Sequence, residues 1–225
     1  LMLTGQLLDN DQPGVTRQLR GMVKRLGEPV IRSAVSRAMR EMGRQFVLGE
    51  SIEAALKRAQ SLEKRGYTYS YDMLGEAARS AAAAEQYFHA YQQAIEAIGK
   101  AAAHASATDN PGISVKLSAL HPRYELAQRS RVLAELTPRV ITLARAAARY
   151  GLGFNIDAEE SDRLALSLEV AEQILRDPTL ADWDGFGMVV QAYGQRASEA
   201  VDWLYQQAKA LDRRLTLRLV KGAYW

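Results

Sequence analysis

The chain has 225 residues, of which 48% are hydrophobic and 24% charged, so it can bury a full core and is not expected to be disordered. It contains no cysteine, which excludes disulfides, a thiolate nucleophile and cysteine-based metal sites and fits a cytoplasmic protein. The net charge is +3 with basic residues spread along the chain, which argues against nucleic-acid binding by this segment. Because the sequence starts at Leu1 rather than at methionine, it is expected to be an internal fragment.

Residues 1–66 show helical patterns only and are predicted to form a helical arm or linker. Apolar residues recur at helical spacing from 14 to 26 and again from 28 to 47, with Gly27 between the two predicted helices and Pro29 at the start of the second. A third helix is predicted to begin at Ser51 and to stop at Gly66.

From residue 67 the pattern changes to short apolar runs that alternate with long amphipathic stretches. Five runs have strand character: YTYSYDML (67–74), GISVKLSAL (112–120), GFNIDAEE (153–160), GMVVQAY (187–193) and LTLRLVKG (215–222). Helices are predicted between them, at 76–100, 128–150, 162–175 and 196–211. Such repetition requires parallel strands and favours an α/β fold of the (β/α)8 TIM-barrel type, with a doubly wound sheet as the alternative.

Each predicted strand carries charged or amide residues late in its run. These residues are Asp72, Lys116, Asp157, Glu159, Gln191, Arg218 and Lys221. In a βα barrel the carboxyl ends of the strands form the face where catalysis occurs, whereas charges buried elsewhere cost several kcal/mol. The sequence therefore predicts an active site at this edge.

Other common sites are not supported by the sequence. The segment GLGFNI (151–156) lacks the third glycine of a dinucleotide fingerprint and precedes its strand. The three histidines are scattered without ligand spacing, so no metal site is expected. The nucleophile elbow of hydrolases and the phosphate-binding loop of nucleoside triphosphatases are also absent from the sequence.

Five ordered motifs identify a family resemblance: YSYDMLGEAA (69–78), SVKLSALHPRY (114–124), NIDAEESDRL (155–164), VVQAYGQR (189–196) and RLVKGAYW (218–225). Together they closely resemble the proline dehydrogenase domain of the bifunctional proline utilization A flavoenzymes. The resemblance implies noncovalent FAD and oxidation of L-proline to Δ1-pyrroline-5-carboxylate by hydride transfer to flavin N5, the first step of proline catabolism to glutamate. It also implies that residues 67–225 are the first five βα units of a distorted barrel whose C-terminal part is absent, so that the fragment can be inactive alone.

The resemblance assigns roles to residues at the strand ends. Catalytic roles are implied for Lys116, which would pair with the proline carboxylate, Asp157, which would orient this cluster, and Tyr224, which would wall the cavity. Flavin contacts are implied for a larger set: Gln191, Arg218, Val220, Lys221, Gly222, Tyr224 and Trp225. Asp72 and Glu76 would support these residues from behind, with Glu76 close to an arginine of the absent part.

The chemistry also favours cations near the flavin ring, because positive charge stabilises its reduced, anionic form. The resemblance places Arg218 near flavin N5, with Lys221 and Gly222 making charge and backbone contacts and Gln191 an amide contact.

The same resemblance implies partners outside the segment. A downstream aldehyde dehydrogenase domain would use NAD, and a quinone or another membrane acceptor would receive the electrons. Homo-oligomerisation and peripheral association with the inner face of the membrane are compatible with it.

Two alternatives from other classes stay open. A Schiff-base aldolase also places a lysine at a barrel strand end, and Lys116 or Lys221 would serve if burial depressed its pKa. A regulatory module would bind DNA, but family members do so through a separate ribbon-helix-helix segment whose pattern is absent from this sequence.

Overall fold

The computed structural model describes the backbone of residues 15–222 and the side chains of residues 29–222. Within these bounds the chain forms two compact units that divide between Glu50 and Ser51. The first unit contains one described helix, and the second contains a parallel sheet with helices between its strands. The domain boundary predicted at residue 66 stays a prediction.

The helix of the first unit, α1, runs from Val15 to Gly43 without interruption. The sequence predicts two helices that are separated at Gly27, with Pro29 at the start of the second, and that prediction is wrong. Proline fixes φ near −65°, which is also a helical value, so within a long helix it removes a hydrogen bond without necessarily ending the helix. Large apolar side chains of this unit, such as Val35 and Met39, are exposed.

The second unit begins with a helix and then alternates strands and helices. Its helices are α2 (Ile52–Glu63), α3 (Ala81–Ala101), α4 (Leu117–Leu120), α5 (Arg129–Arg149), α6 (Leu164–Leu175) and α7 (Ala197–Ala210). Its strands are β1 (Ser70–Asp72), β2 (Gly112–Val115), β3 (Gly153–Ile156), β4 (Phe186–Gln191) and β5 (Thr216–Val220). Short 3₁₀ helices lie at Leu126–Gln128, Ser161–Arg163 and Pro178–Leu180. The five predicted strands and the helices between them are confirmed, whereas the single turn α4 directly after β2 was not predicted.

The five strands form one parallel sheet in the order of the chain. A doubly wound sheet reverses its strand order at a switch point. The described strands contain no such reversal, so the doubly wound alternative is wrong for them. The parallel strands with helices between them confirm an α/β fold. The sheet is open between β1 and β5 within the described residues, so the (β/α)8 barrel stays a prediction.

The core lies on the apolar face of this sheet. Ile113, Phe154 and Phe186 lie side by side in register and are fully buried. Because successive side chains of a strand point to opposite faces, Ser114 and Asn155 lie on the other, polar face. In the part of the chain that the structure describes, no helix has the length and apolar character needed to cross a bilayer.

Gly99 lies on α3 where the ring of Tyr150 leaves no room for a side chain. A Cβ at Gly99 would lie 2.2 Å from Cγ of Tyr150. We expect Gly99→Ala to lower the free energy of unfolding by about 1–3 kcal/mol through overpacking, measured by urea unfolding of the full-length protein. Gly43→Ala is the matched control because no atom would lie within 4 Å of its Cβ. Equal unfolding midpoints for Gly99→Ala and the unsubstituted protein would contradict this packing.

Candidate active site

The carboxyl ends of the strands bring polar side chains together on the polar face of the sheet. Asp72, Ser114 and Asn155 occupy neighbouring positions in the register of β1, β2 and β3. Lys116 lies two residues after Ser114, and Asp157 lies two residues after Asn155, so both are on the same face of the sheet. The sequence therefore correctly predicts that polar residues converge at this edge.

Lys116 lies between two carboxylates from neighbouring strands. Its Nζ donates to Asp72 Oδ1 at 2.6 Å and to Asp157 Oδ2 at 3.0 Å. The lysine side chain is 17% exposed and that of Asp157 is 14% exposed, whereas Asp72 is 49% exposed. The three residues, here called the Lys116 cluster, form a half-buried ion-paired group open to solvent on the Asp72 side.

The backbone N–H of Lys116 is hydrogen-bonded to a helix rather than to the neighbouring strand. Gly112 N donates to Tyr69 O, and continuing this ladder by four residues would pair Lys116 N with Met73 O. Because β1 ends at Asp72, Lys116 N donates instead to the hydroxyl of Tyr91 on α3 at 3.2 Å. Tyr91 is fully buried, and burial raises its pKa to about 12. Its neutral hydroxyl thus replaces the backbone oxygen that a longer β1 would offer to Lys116 N.

The charge state of Lys116 argues against the aldolase alternative. Burial alone would lower its pKa, but the hydrogen bonds to Asp72 and Asp157 and the charges of both carboxylates outweigh burial and raise the pKa above its ordinary value. A Schiff-base lysine needs a depressed pKa so that the neutral amine can attack a carbonyl. Lys116 is therefore held as an ammonium.

This charge state makes Lys116 a poor nucleophile. At pH 8 we expect an amine-directed acylating reagent to label Lys116 at least about tenfold more slowly than Lys209, because little neutral amine forms and access is restricted. Lys209 is exposed near the end of α7 and serves as the internal reference for peptide mapping by mass spectrometry. Equal labelling of the two lysines would restore the aldolase alternative.

Arg218 joins the Lys116 cluster from the far edge of the sheet. Its Nη1 donates to Ser114 Oγ at 2.7 Å and lies 3.7 Å from Asp157 Oδ1. The arginine side chain is 41% exposed, whereas Ser114 is buried. One cation is therefore anchored in the sheet with part of its guanidinium open to a ligand.

The remaining predicted flavin contacts lie along the ends of β4 and β5. Gln191 Nε2 donates to the backbone oxygen of Glu159 at 2.8 Å. Val220 is half-buried and Lys221 is exposed. Gly222 has φ of +94°, and a Cβ there would lie 2.4 Å from the ring of Tyr193, so only glycine fits this turn.

The other predicted residues are Glu76, Tyr224, Trp225 and Asp72. Glu76 is exposed and makes no hydrogen bond or ion pair with any described residue, so its supporting role stays a prediction. Tyr224 and Trp225 lie outside the described residues. Asp72, predicted to support the site residues, contacts Lys116 directly, and its supporting role stays a prediction.

The structure adds residues to the site that the sequence reasoning missed. Ser114 lies two positions before Lys116 on the same face, so strand alternation could have indicated it. The role of Tyr91 could not be predicted from the local sequence, since it reaches the site from the middle of a helix. Asn155 has a buried Oδ1 that receives no hydrogen bond from any described residue.

Comparisons with known proteins match both parts of the chain to family models. Residues 55–225 match the family model for proline dehydrogenase. Residues 1–46 match a second model, described as the DNA-binding domain of proline dehydrogenase. The two models between them match residues of both structural units.

Individual relatives show the same likeness. The chain is 51% identical to bifunctional protein PutA of Escherichia coli (strain K12) over 226 aligned residues, which cover 100% of this chain and 17% of that protein. It is 32% identical to proline dehydrogenase 1 of Bacillus subtilis (strain 168) over 181 residues, covering 80% of this chain and 52% of the relative.

A solved structure extends the likeness to the fold. A crystal structure of a proline utilization A variant from Bradyrhizobium japonicum superposes with a TM-score of 0.75 at 53% identity, covering 96% of this chain and 22% of that one. The chain thus spans about a fifth of the length of these bifunctional relatives. A family match over most of the sequence and a parallel sheet with a polar carboxyl edge lead to one conclusion: the chain belongs to the proline dehydrogenase family.

Proposed function

We propose that the full-length protein oxidises L-proline to Δ1-pyrroline-5-carboxylate with FAD, and that this chain supplies part of the active site. The observation that carries the proposal is the Lys116 cluster beside Arg218 at the carboxyl edge of a parallel sheet. Such an edge is where α/β enzymes bind their ligands, and membership of the proline dehydrogenase family gives the reaction class.

The sheet is proposed to be part of a (β/α)8 barrel. Its strands follow one another in chain order, as barrel strands do. On β5, Leu217 is 38% exposed and Leu219 is 63% exposed, which is unusual for a strand of a parallel sheet. In the proposed barrel, strands and helices from outside these 225 residues cover β5 and face the unpaired oxygen of Asn155.

Lys116 is proposed to bind the carboxylate of proline. An ammonium has three donors, and Asp72 and Asp157 receive two of them. The third donor can bind a substrate carboxylate, while the two aspartates fix the direction in which the side chain points. Asp157 also lies near Arg218 and so links substrate binding to the other cation.

The donors at the ends of β4 and β5 fit an FAD cofactor. Arg218 offers a guanidinium anchored by Ser114, and Gly222 keeps the turn after β5 free of a side chain. Gln191 and Lys221 extend this polar edge, and we propose that Val220, Tyr224 and Trp225 complete it. When bound, FAD supplies the acceptor for the hydride that leaves the proline ring. The chain's own part is to hold proline at Lys116 and to place positive charge from Arg218 at the cofactor edge.

The wider setting is proposed from the family. A downstream aldehyde dehydrogenase domain would use NAD to convert the product, and a quinone or another membrane acceptor would reoxidise the flavin. A homo-oligomer in the cytoplasm, peripheral at the inner membrane face, is consistent with these roles. Although residues 1–46 match a model described as a DNA-binding domain, we expect no nucleic-acid binding by this segment, because its net charge is only +3 and its basic residues are dispersed.

The proposal is tested with the purified full-length protein. We expect a yellow protein with flavin absorbance that reduces an artificial electron acceptor when L-proline is added. The product should be Δ1-pyrroline-5-carboxylate, identified by mass spectrometry. A colourless protein that forms a borohydride-trapped lysine adduct would instead support the aldolase alternative.

A further inference from the structure

Ser118 forms a second hydrogen-bonded link between the segments that follow β1 and β3. The aspartates that contact Lys116 come from the ends of these two strands. Ser118 lies in α4, two residues after Lys116, and is 3% exposed. Neither its residue type nor its place in a short turn predicts a role. Its hydrogen bonds, however, run to the loops on both sides of β2.

On one side, Ser118 holds the loop that follows β1. Ala77 N donates to Ser118 Oγ at 3.0 Å, and Ala78 N donates to Ser118 O at 2.8 Å. Ala77 has φ of +53°, a left-handed conformation that residues other than glycine rarely adopt. The two hydrogen bonds compensate this strain and fix the loop five residues after Asp72.

On the other side, Ser118 holds the loop that follows β3. Ser118 N donates to Glu159 Oε1 at 3.0 Å, two residues beyond Asp157. The Glu159 side chain is 9% exposed and also pairs with Arg163 at 3.1 Å. Burial raises the pKa of Glu159, and the hydrogen bond from the backbone of Ser118 opposes that effect.

The same loop reaches the proposed flavin edge. The backbone oxygen of Glu159 accepts from Gln191 Nε2 at 2.8 Å. A chain of hydrogen bonds therefore joins the loops after β1, β2 and β3 to the end of β4. Lys116 joins β1 and β3 through Asp72 and Asp157, and Ser118 joins the following loops in the same way.

We propose that Ser118 is a positioning residue that sets the separation of Asp72 and Asp157 around Lys116. This inference rests on the proposed function, since it assigns Ser118 to the binding of proline through Lys116. Loss of the hydroxyl leaves Ala77 N without its acceptor, so that the loop after β1 is no longer held to the hydrogen bond that Ser118 N makes with Glu159. The two aspartates then lose their fixed spacing, and Lys116 no longer points in a single direction.

The test compares Ser118→Ala with the unsubstituted FAD-loaded full-length protein. We expect KM for proline to rise about three- to tenfold with FAD content unchanged. Hydrogen–deuterium exchange should be faster at the amides of Ala77 and Ala78. Thr137→Val is the matched control, because Thr137 is buried on α5 and its hydroxyl has no partner among the described residues. It should change neither measurement.

A double substitution distinguishes a role of Ser118 that acts through Lys116 from a purely structural role. If Ser118 acts through Lys116, Ser118→Ala should alter KM less than about twofold in a Lys116→Met background. Should Ser118→Ala fail to fold, Glu159→Leu keeps a side chain of similar size but removes the acceptor of Ser118 N, and it should give the same dependence on Lys116.

The proposal is overturned if the effects of the two substitutions multiply, or if Ser118→Ala leaves KM or amide exchange unchanged while the unsubstituted protein oxidises proline. In those cases the proposed function stands. If the unsubstituted protein does not oxidise proline, the proposed function fails and this inference fails with it.

Discussion

Lys116→Met is expected to raise KM for proline about tenfold to a hundredfold, equivalent to roughly 1.5–3 kcal/mol for a charge-assisted interaction. The substitution removes the proposed carboxylate-binding ammonium and leaves Asp72 and Asp157 without their shared cation. Two uncompensated carboxylates would also repel the substrate carboxylate. Steady-state kinetics of the FAD-loaded full-length protein measure the effect, and FAD content should stay unchanged.

Lys100→Met is the matched control for this substitution. Lys100 is 67% exposed and pairs with Glu96 at 2.7 Å along one helix, so it resembles Lys116 in having a carboxylate partner but lies away from the sheet edge. We expect no change in KM, since exposed ion pairs contribute little. Loss of FAD with normal affinity for proline in Lys116→Met would reassign Lys116 to the cofactor.

Arg218→Met is expected to lower the reduction potential of the flavin by tens of millivolts, where about 30 mV corresponds to 1.4 kcal/mol for a two-electron couple. The guanidinium is anchored by Ser114 and partly exposed, so it can stabilise negative charge on the reduced cofactor. We also expect kcat to fall more than KM changes, because the charge stabilises the product of electron transfer rather than bound proline. Spectroelectrochemical titration of the full-length protein provides the measurement.

Arg214→Met provides the comparison within the same segment. Arg214 is exposed just before β5 and differs from Arg218 in lying at the opposite end of that strand. Its substitution should leave both the potential and kcat unchanged. An unchanged potential and a normal kcat in Arg218→Met would mean that Arg218 is a structural cation, and β5 would no longer be the proposed flavin edge.

The order of the strands and the site edge could be predicted because both follow from local pattern. Short runs of β-branched and aromatic residues gave the strands, and the late charges in each run marked the carboxyl edge. The continuous helix through Pro29 could not be predicted in this way, because the cost of one proline depends on the stability of the whole helix.

The contacts within the site depended on register and tertiary packing. The sequence predicts Asp72 as a supporting residue, but which residue it contacts depends on the parallel register, which places it within hydrogen-bonding distance of Lys116. Tyr91 and Ser118 gave no local signal, because their roles depend on where β1 ends and how the next loop folds back. Barrel closure stays a prediction for a similar reason, since it depends on strands beyond the five described here.

Anaerobic mixing of the full-length protein with L-proline tests the central claim most directly. If the protein is a proline dehydrogenase, the flavin absorbance should bleach, with one Δ1-pyrroline-5-carboxylate formed for each flavin reduced. A proline analogue without a ring nitrogen should cause no bleaching, because the amine is needed to drive hydride loss from the adjacent carbon. Flavin that stays oxidised in excess proline would contradict the assignment of this site to proline oxidation.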